Sequence, residues 1–150
     1  MIVKSLDHLN ILSKKISQKL KNGDYIFLTG EIGVGKTTFT RYLINNLQNQ
    51  KGLKETEVLS PTFNLLYEYE IKDLKIMHYD LYRIEKTDQL HNLGIFTENK
   101  KTIKIIEWPD LIQTPLENKL EIHIEYREHE NERKMKFKGL GKWKNIENEV

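Results

Sequence analysis

An α/β fold, with a mixed and mostly parallel sheet flanked by helices and with antiparallel hairpins, is predicted by three observations. A buried-strand pattern at 25–29 runs through a glycine-rich loop directly into a helical stripe. Two pairs of strand-like runs, 65–71 with 74–80 and 120–126 with 134–138, look like hairpins. A separate apolar stripe of helical period precedes them all. At 150 residues the chain supports one domain, 1–150, with a substantial core but no room for a second substrate domain.

The elements follow in order. Leu6, Leu9, Leu12, Ile16 and Leu20 step by three and four after Ser5, which predicts an amphipathic helix with a serine cap that covers one face of the sheet. Asn22-Gly23-Asp24 forms a turn, and Tyr25-Ile26-Phe27-Leu28-Thr29 is a short apolar and β-branched strand. After Thr37, Phe39, Tyr42, Leu43 and Leu47 mark the buried stripe of the next helix. Residues 49–55 are polar and return the chain to the surface. The alternation of 65–71, the polar break Lys72-Asp73 and the run 74–80 predict an antiparallel hairpin. A short helix at 87–93 is stopped by Gly94, and the β-branched strand 102–107 is halted by Trp108-Pro109. The two last alternating runs predict a closing hairpin, and there is no internal repeat, linker or low-complexity segment.

Composition narrows the function. The 24 basic and 22 acidic residues nearly cancel, leaving +2 and no general excess for nucleic-acid binding. Lys134, Lys136, Lys138, Lys142 and Lys144 crowd the C-terminal end, a pattern expected of a solvated face or a protected edge strand. No cysteine is present, so disulfides, thiolate metal sites and thiol nucleophiles are excluded. No run approaches a membrane span, and the first residues lack a signal-peptide layout, so a cytoplasmic location is expected.

The loop between the first strand and its helix carries the chemistry. Gly30-Glu31-Ile32-Gly33-Val34-Gly35-Lys36-Thr37 fits G-x-x-x-x-G-K-[ST], the phosphate-binding P-loop. Its glycines let successive amide groups turn toward a β-phosphate, and the following helix aims its positive end at the same charge. Lys36 supplies a point charge for the β/γ oxygens, and Thr37 a hydroxyl for the Mg²⁺ that bridges them. Hydrolysis also needs carboxylates. Glu107 ends the most apolar late strand, where an acid would reach the carboxyl edge of a sheet, and Asp80 ends another strand pointing to the same edge.

Ser60 and Thr62 flank a proline in a semi-rigid turn; spacing alone favours hydroxyls bonded to their own backbone over a loop that senses γ-phosphate. The five histidines show no metal-ligand spacing, so neither a zinc site nor a hydrolytic triad is expected, and His78 is treated as ordinary. Arginine is scarce, and only Arg83 lies near a suspected site element. Hydrolysis without an arginine finger is slower by about 10³ to 10⁵, so a weak ATPase stimulated by a partner is expected. The same scarcity counts against a small-molecule kinase, the alternative enzyme class. A GTP switch would need N-K-x-D, but Asn99-Lys100-Lys101-Thr102 lacks the acid, so ATP is preferred.

Four segments now stand together: 30–39 with Arg41, Ser60-Pro61-Thr62-Phe63, His78-Tyr79-Asp80-Leu81-Tyr82-Arg83, and Glu107-Trp108-Pro109. In order and spacing they closely resemble the TsaE (YjeE) family, bacterial ATPases needed to make threonylcarbamoyladenosine in tRNA. The resemblance implies a P-loop NTPase fold that binds ATP and Mg²⁺ and docks on a complex of TsaD and TsaB, whose chemistry is the group transfer itself. It implies nucleotide binding by Glu31, Ile32, Gly33, Val34, Gly35, Lys36, Thr37, Thr38 and Ser60, and metal binding by Thr37 and Glu107. Asp80, Glu107 and Thr62 would be catalytic, with Trp108 and Arg83 supporting the site or its partner contact. Val34 stands where the family commonly has alanine, which leaves the glycines and the lysine intact.

Overall fold

A computed structural model describes residues 1–150. In chain order its elements are β1 (Ile2–Val3), α1 (Leu6–Ser17), β2 (Tyr25–Thr29), α2 (Lys36–Gln50), β3 (Leu66–Ile71), β4 (Leu74–Asp80), α3 (Asp88–His91), β5 (Ile103–Glu107), β6 (Lys119–Tyr126) and β7 (Arg133–Leu140). All strands join one sheet in the order β1-β7-β6-β2-β5-β4-β3. The central strands β6, β2, β5 and β4 run parallel, while β7, β1 and β3 are antiparallel additions at the margins. The P-loop strand β2 therefore sits in the middle, between β5 and β6.

Alternation along the strands divides the apolar residues between two faces. On one face Ile26, Leu28, Ile76, Ile103 and Ile105 meet Leu9, Leu12 and Ile16 of α1 and Phe39, Leu43, Ile44 and Leu47 of α2. On the other, Tyr25, Phe27, Met77, Tyr79 and Ile106 are covered by Leu81, Leu90 and Ile95 of the chain around α3. No helix is long and apolar enough to cross a membrane.

Several boundaries differ from expectation. Helix α1 starts as predicted, with the Ser5 hydroxyl accepting from the His8 amide at 3.1 Å, but it stops at Ser17. Leu20 is buried through the following turn rather than through the helix. The first hairpin begins at Leu66, because Leu65 adopts a left-handed φ of 67° that no strand residue can hold. The short helix is only four residues, 88–91, and β5 starts at Ile103. β7 extends to 133–140, and β1, two residues long, pairs with it. So short a strand leaves no periodic signature in sequence.

Lys104 is a buried lysine that the strand pattern of 102–107 did not single out. On β5 it is fully buried against the second face, where its ammonium donates to Asn99 Oδ1 at 2.7 Å and to the Thr97 carbonyl, and lies over the Tyr25 ring. Burial lowers its pKa from 10.5 to about 8, opposed only by Glu98. The folded chain therefore releases this proton more readily than the unfolded chain, so the penalty is full below about pH 8 and fades as pH rises toward 10.5. Tyr25, pushed by burial from 10.0 to about 12, works the opposite way above pH 10. From pH 8 to pH 10 the thermal midpoint of the wild type should rise relative to that of Lys104→Met. A constant difference across that interval would contradict the assignment.

Candidate active site

The loop 30–35 leaves β2 and enters α2 at Lys36. Gly30 has φ 133°, and a Cβ there would stand 2.2 Å from the Ile124 carbonyl oxygen, so backbone of β6 passes where any side chain would be. Two side chains from the β6–β7 hairpin brace the loop from outside. The Tyr126 hydroxyl donates to the Ile32 carbonyl at 3.0 Å, and Arg133 Nε donates to the Val34 carbonyl at 3.0 Å. A trans peptide points its N–H opposite to its carbonyl, so both contacts turn the next amides, Gly33 and Gly35, away from the hairpin.

Lys36 lies in the first turn of α2 and is 5% exposed. Its ammonium donates to the Gly30 and Glu31 carbonyls at 2.7 and 2.8 Å and sits 4.1 Å from the centre of the Trp108 ring. Burial lowers its pKa, while Glu107 and Asp80 pull it back up. Thr37 Oγ1 donates to both carboxylate oxygens of Glu107, at 2.9 and 3.2 Å. A residue of the helix that opens at the P-loop thus touches the last residue of β5 across 70 positions of sequence.

Strand register brings in the second acid. Asp80 of β4 pairs with Glu107 of β5, and both share the face that carries Ile76 and Ile105. Asp80 Oδ2 accepts from the Thr62 hydroxyl at 3.0 Å, and Oδ1 accepts from the Tyr82 amide at 3.0 Å. Ser60 and Thr62 are hydrogen-bonded to each other at 2.7 Å. This corrects the expectation of purely local hydroxyl–backbone bonds: the 61–65 turn instead faces β4. Leu65 closes it, its amide donating to the Pro61 carbonyl and its own carbonyl accepting from the Asp80 amide.

These groups line a cleft of about 270 Å³ formed by P-loop residues 32–38 without Val34, by Ser60, Thr62 and Asp80, and by Tyr82, Glu107 and Trp108. Trp108 has φ 58°, and its ring stacks on Tyr82 with centroids 4.9 Å apart. A second cavity of about 490 Å³ adjoins the cleft across Gly33, Gly35 and Thr38, and is walled by Ser5, Leu6, Glu130, Asn131 and Arg133. Glu31 is exposed outside both cavities, and Val34 is buried under the loop, facing the second. Arg83 does not line the cleft; its guanidinium stacks on the exposed Phe63 ring at 4.3 Å.

Three contributors escaped the sequence reading. Tyr126 and Arg133 sit at facing ends of a hairpin, and nothing in their spacing links them to the P-loop. His78 is fully buried, with Nε2 2.8 Å from Glu107 Oε1. Its position two residues before Asp80 on one strand was the available signal, since that spacing puts both on one face. No group of three or more histidines and acids is placed to hold a metal. The donor set that fits a magnesium ion is oxygen only, the Thr37 hydroxyl and the Glu107 carboxylate, which suits a cation that keeps most of its water.

A family model described as "Threonylcarbamoyl adenosine biosynthesis protein TsaE" matches residues 3–135. The chain belongs to the TsaE family. It is 35% identical over 137 residues to the tRNA threonylcarbamoyladenosine biosynthesis protein TsaE of Aquifex aeolicus, covering 91% of this chain and 93% of that one. The Bacillus subtilis protein of the same name is 33% identical over 133 residues, covering 87% and 78%. Against the TsaE proteins of Rickettsia felis and Rickettsia conorii the chain spans 64% and 56% of their lengths. The crystal structure of Bacillus subtilis YdiB superposes with a TM-score of 0.72 at 26% identity, covering 97% of this chain and 88% of that one. The fold is accordingly that of a P-loop NTPase. The TsaE match extends beyond the 30–109 segment that carries the motifs and takes in Tyr126 and Arg133.

The bonds at Asp80 make a prediction about the loop. Asp80→Ala removes the acceptor of both the Thr62 hydroxyl and the Tyr82 amide, each a charge-assisted bond of about 1.5–3 kcal/mol. Amide hydrogen exchange should quicken by at least about tenfold at 60–65 and at Tyr82. Thr62→Ala should quicken it at 60–65 alone. Unchanged exchange in Asp80→Ala would contradict the tether.

Proposed function

We propose that this chain binds ATP with Mg²⁺ and hydrolyses it, slowly alone and faster when docked on a TsaD- and TsaB-type complex. On this reading it serves threonylcarbamoyladenosine formation on tRNA in the cytoplasm, and the transfer chemistry belongs to the partner. The observation that carries the reading is the contact of Thr37 with Glu107, beside Lys36 and opposite Asp80, in one cleft at the carboxyl ends of parallel strands. That is where nucleotide chemistry is expected in an open α/β sheet.

The roles follow from position. The Gly33, Gly35 and α2 amides cradle phosphate, and the Lys36 ammonium exchanges loop carbonyls for phosphate oxygens. Base and ribose extend over Gly33 and Gly35 into the 490 Å³ cavity. Thr37 and Glu107 would hold Mg²⁺, which would supply charge neutralisation for the phosphate oxygens. Asp80 accepts the proton of the attacking water, and Thr62, hydrogen-bonded to Asp80, reports the γ-phosphate to the neighbouring exposed Phe63. No arginine lines the cleft, which is the reason to expect slow turnover until a partner docks.

The test is direct. Lys36→Ala should weaken ATP binding about 10²-fold, the worth of charge-assisted contacts to phosphate. Asp80→Asn and Glu107→Ala should still bind ATP yet lose partner-stimulated phosphate release by about 10² to 10⁴. Normal hydrolysis in all three variants, or phosphate appearing on an added metabolite instead of in solution, would overturn the proposal.

A further inference from the structure

We infer that His78 is a positioning residue that fixes the Glu107 carboxylate for the cation by donating a hydrogen bond from Nε2. The inference rests on the magnesium reading of Thr37 and Glu107. It begins from an unusual accounting: His78 is 0% exposed, one ring nitrogen is 2.8 Å from Glu107 Oε1, and the other, Nδ1, is buried with no hydrogen-bond partner.

That accounting fixes the proton. A carboxylate is an acceptor, so Nε2 must be the donor in this contact. The one hydrogen bond that the His78 ring makes is thus spent on Glu107. Register explains the reach: His78 pairs with Ile105, so its ring extends diagonally along β5 to the residue two places on.

The division of labour at Glu107 makes this contact matter. The side-chain donors on its carboxylate are Thr37 and His78. Thr37 is itself a candidate ligand, so its oxygen has another task. His78 has none: it holds Oε1 from the sheet side and leaves Oε2 with only the longer Thr37 contact of 3.2 Å. Outer donors of this kind set the orientation of a ligating oxygen, and losing one lowers metal affinity about 10- to 100-fold.

The experiment measures ATP binding by calorimetry across a series of Mg²⁺ concentrations, for wild type, His78→Leu, His78→Asn and His78→Gln. Glutamine places an amide donor where Nε2 lies, whereas asparagine places it nearer Nδ1. His78→Leu and His78→Asn should need about 10- to 100-fold more Mg²⁺ for half-maximal enhancement, with ATP affinity in the absence of Mg²⁺ unchanged within twofold. His78→Gln should return close to the wild-type requirement. A folded His78→Leu with the wild-type requirement would overturn the inference, and so would equal requirements for the asparagine and glutamine variants. If variants fail to fold, long-range ¹H–¹⁵N spectra of the wild type decide: the Nε2–H tautomer supports the inference and the Nδ1–H tautomer overturns it. Wild-type ATP binding that ignores Mg²⁺ would instead remove the cation reading beneath it.

Discussion

The parallel register of β2, β5 and β4 is the constraint on which the site depends. It sets Leu28 opposite Glu107 and Glu107 opposite Asp80, so both acids finish at the strand ends where the loop after β2 turns into α2. Because side chains alternate with period two, slipping β4 by one residue would send Asp80 and His78 to the opposite face, against Tyr79's present neighbours. Burial makes such a slip costly, since the residues that share the acids' face, Ile76, Ile103 and Ile105, are all fully enclosed. The core therefore fixes the chemistry's geometry through backbone pairing rather than through contacts among the acids themselves.

Electrostatics at this edge is arranged around Lys36. A nearly buried ammonium is costly to keep charged, and two carboxylates, two carbonyls and an indole face share the task of holding it. The acids in turn are each satisfied by hydrogen-bond donors other than Lys36, Asp80 by Thr62 and the Tyr82 amide, Glu107 by Thr37 and His78. Lys36 reaches neither acid by a direct hydrogen bond, so its charge stays available to move along the loop. Outside this ring the β6–β7 hairpin grips the P-loop carbonyls through Tyr126 and Arg133, and those two side chains stack on each other at 4.6 Å.

Much of this was legible in the sequence, for physical reasons. The strand, P-loop and helix unit has a fixed local order, and Asp80 and Glu107 close runs whose apolar pattern ends abruptly. The hairpins at 66–80 and 119–140 announce themselves by alternation. What stayed hidden depends on tertiary context. Leu65 and Trp108 hold positive φ values that their residue types disfavour, imposed by the turn onto β4 and by the Trp108 amide donating to the Leu28 carbonyl. The burial of Lys104 depends on the 97–99 loop, which folds over it and supplies its acceptors. Burial of the His78 ring, and so its bond to Glu107, cannot be deduced from spacing alone. The roles of Tyr126 and Arg133 needed the β2–β6 pairing, which brings the far end of the chain beside the P-loop.

The account stands on one claim, that a triphosphate with its cation lies between the P-loop and the ends of β4 and β5. Amide chemical shifts followed while ATP and Mg²⁺ are titrated into the ¹⁵N-labelled chain test it most directly. The largest changes should fall on Gly33, Gly35, Lys36 and Thr37, with smaller ones at Thr62, Asp80 and Glu107 and at the second cavity near Ser5 and Asn131. Saturable shifts elsewhere with these amides unmoved would contradict the account.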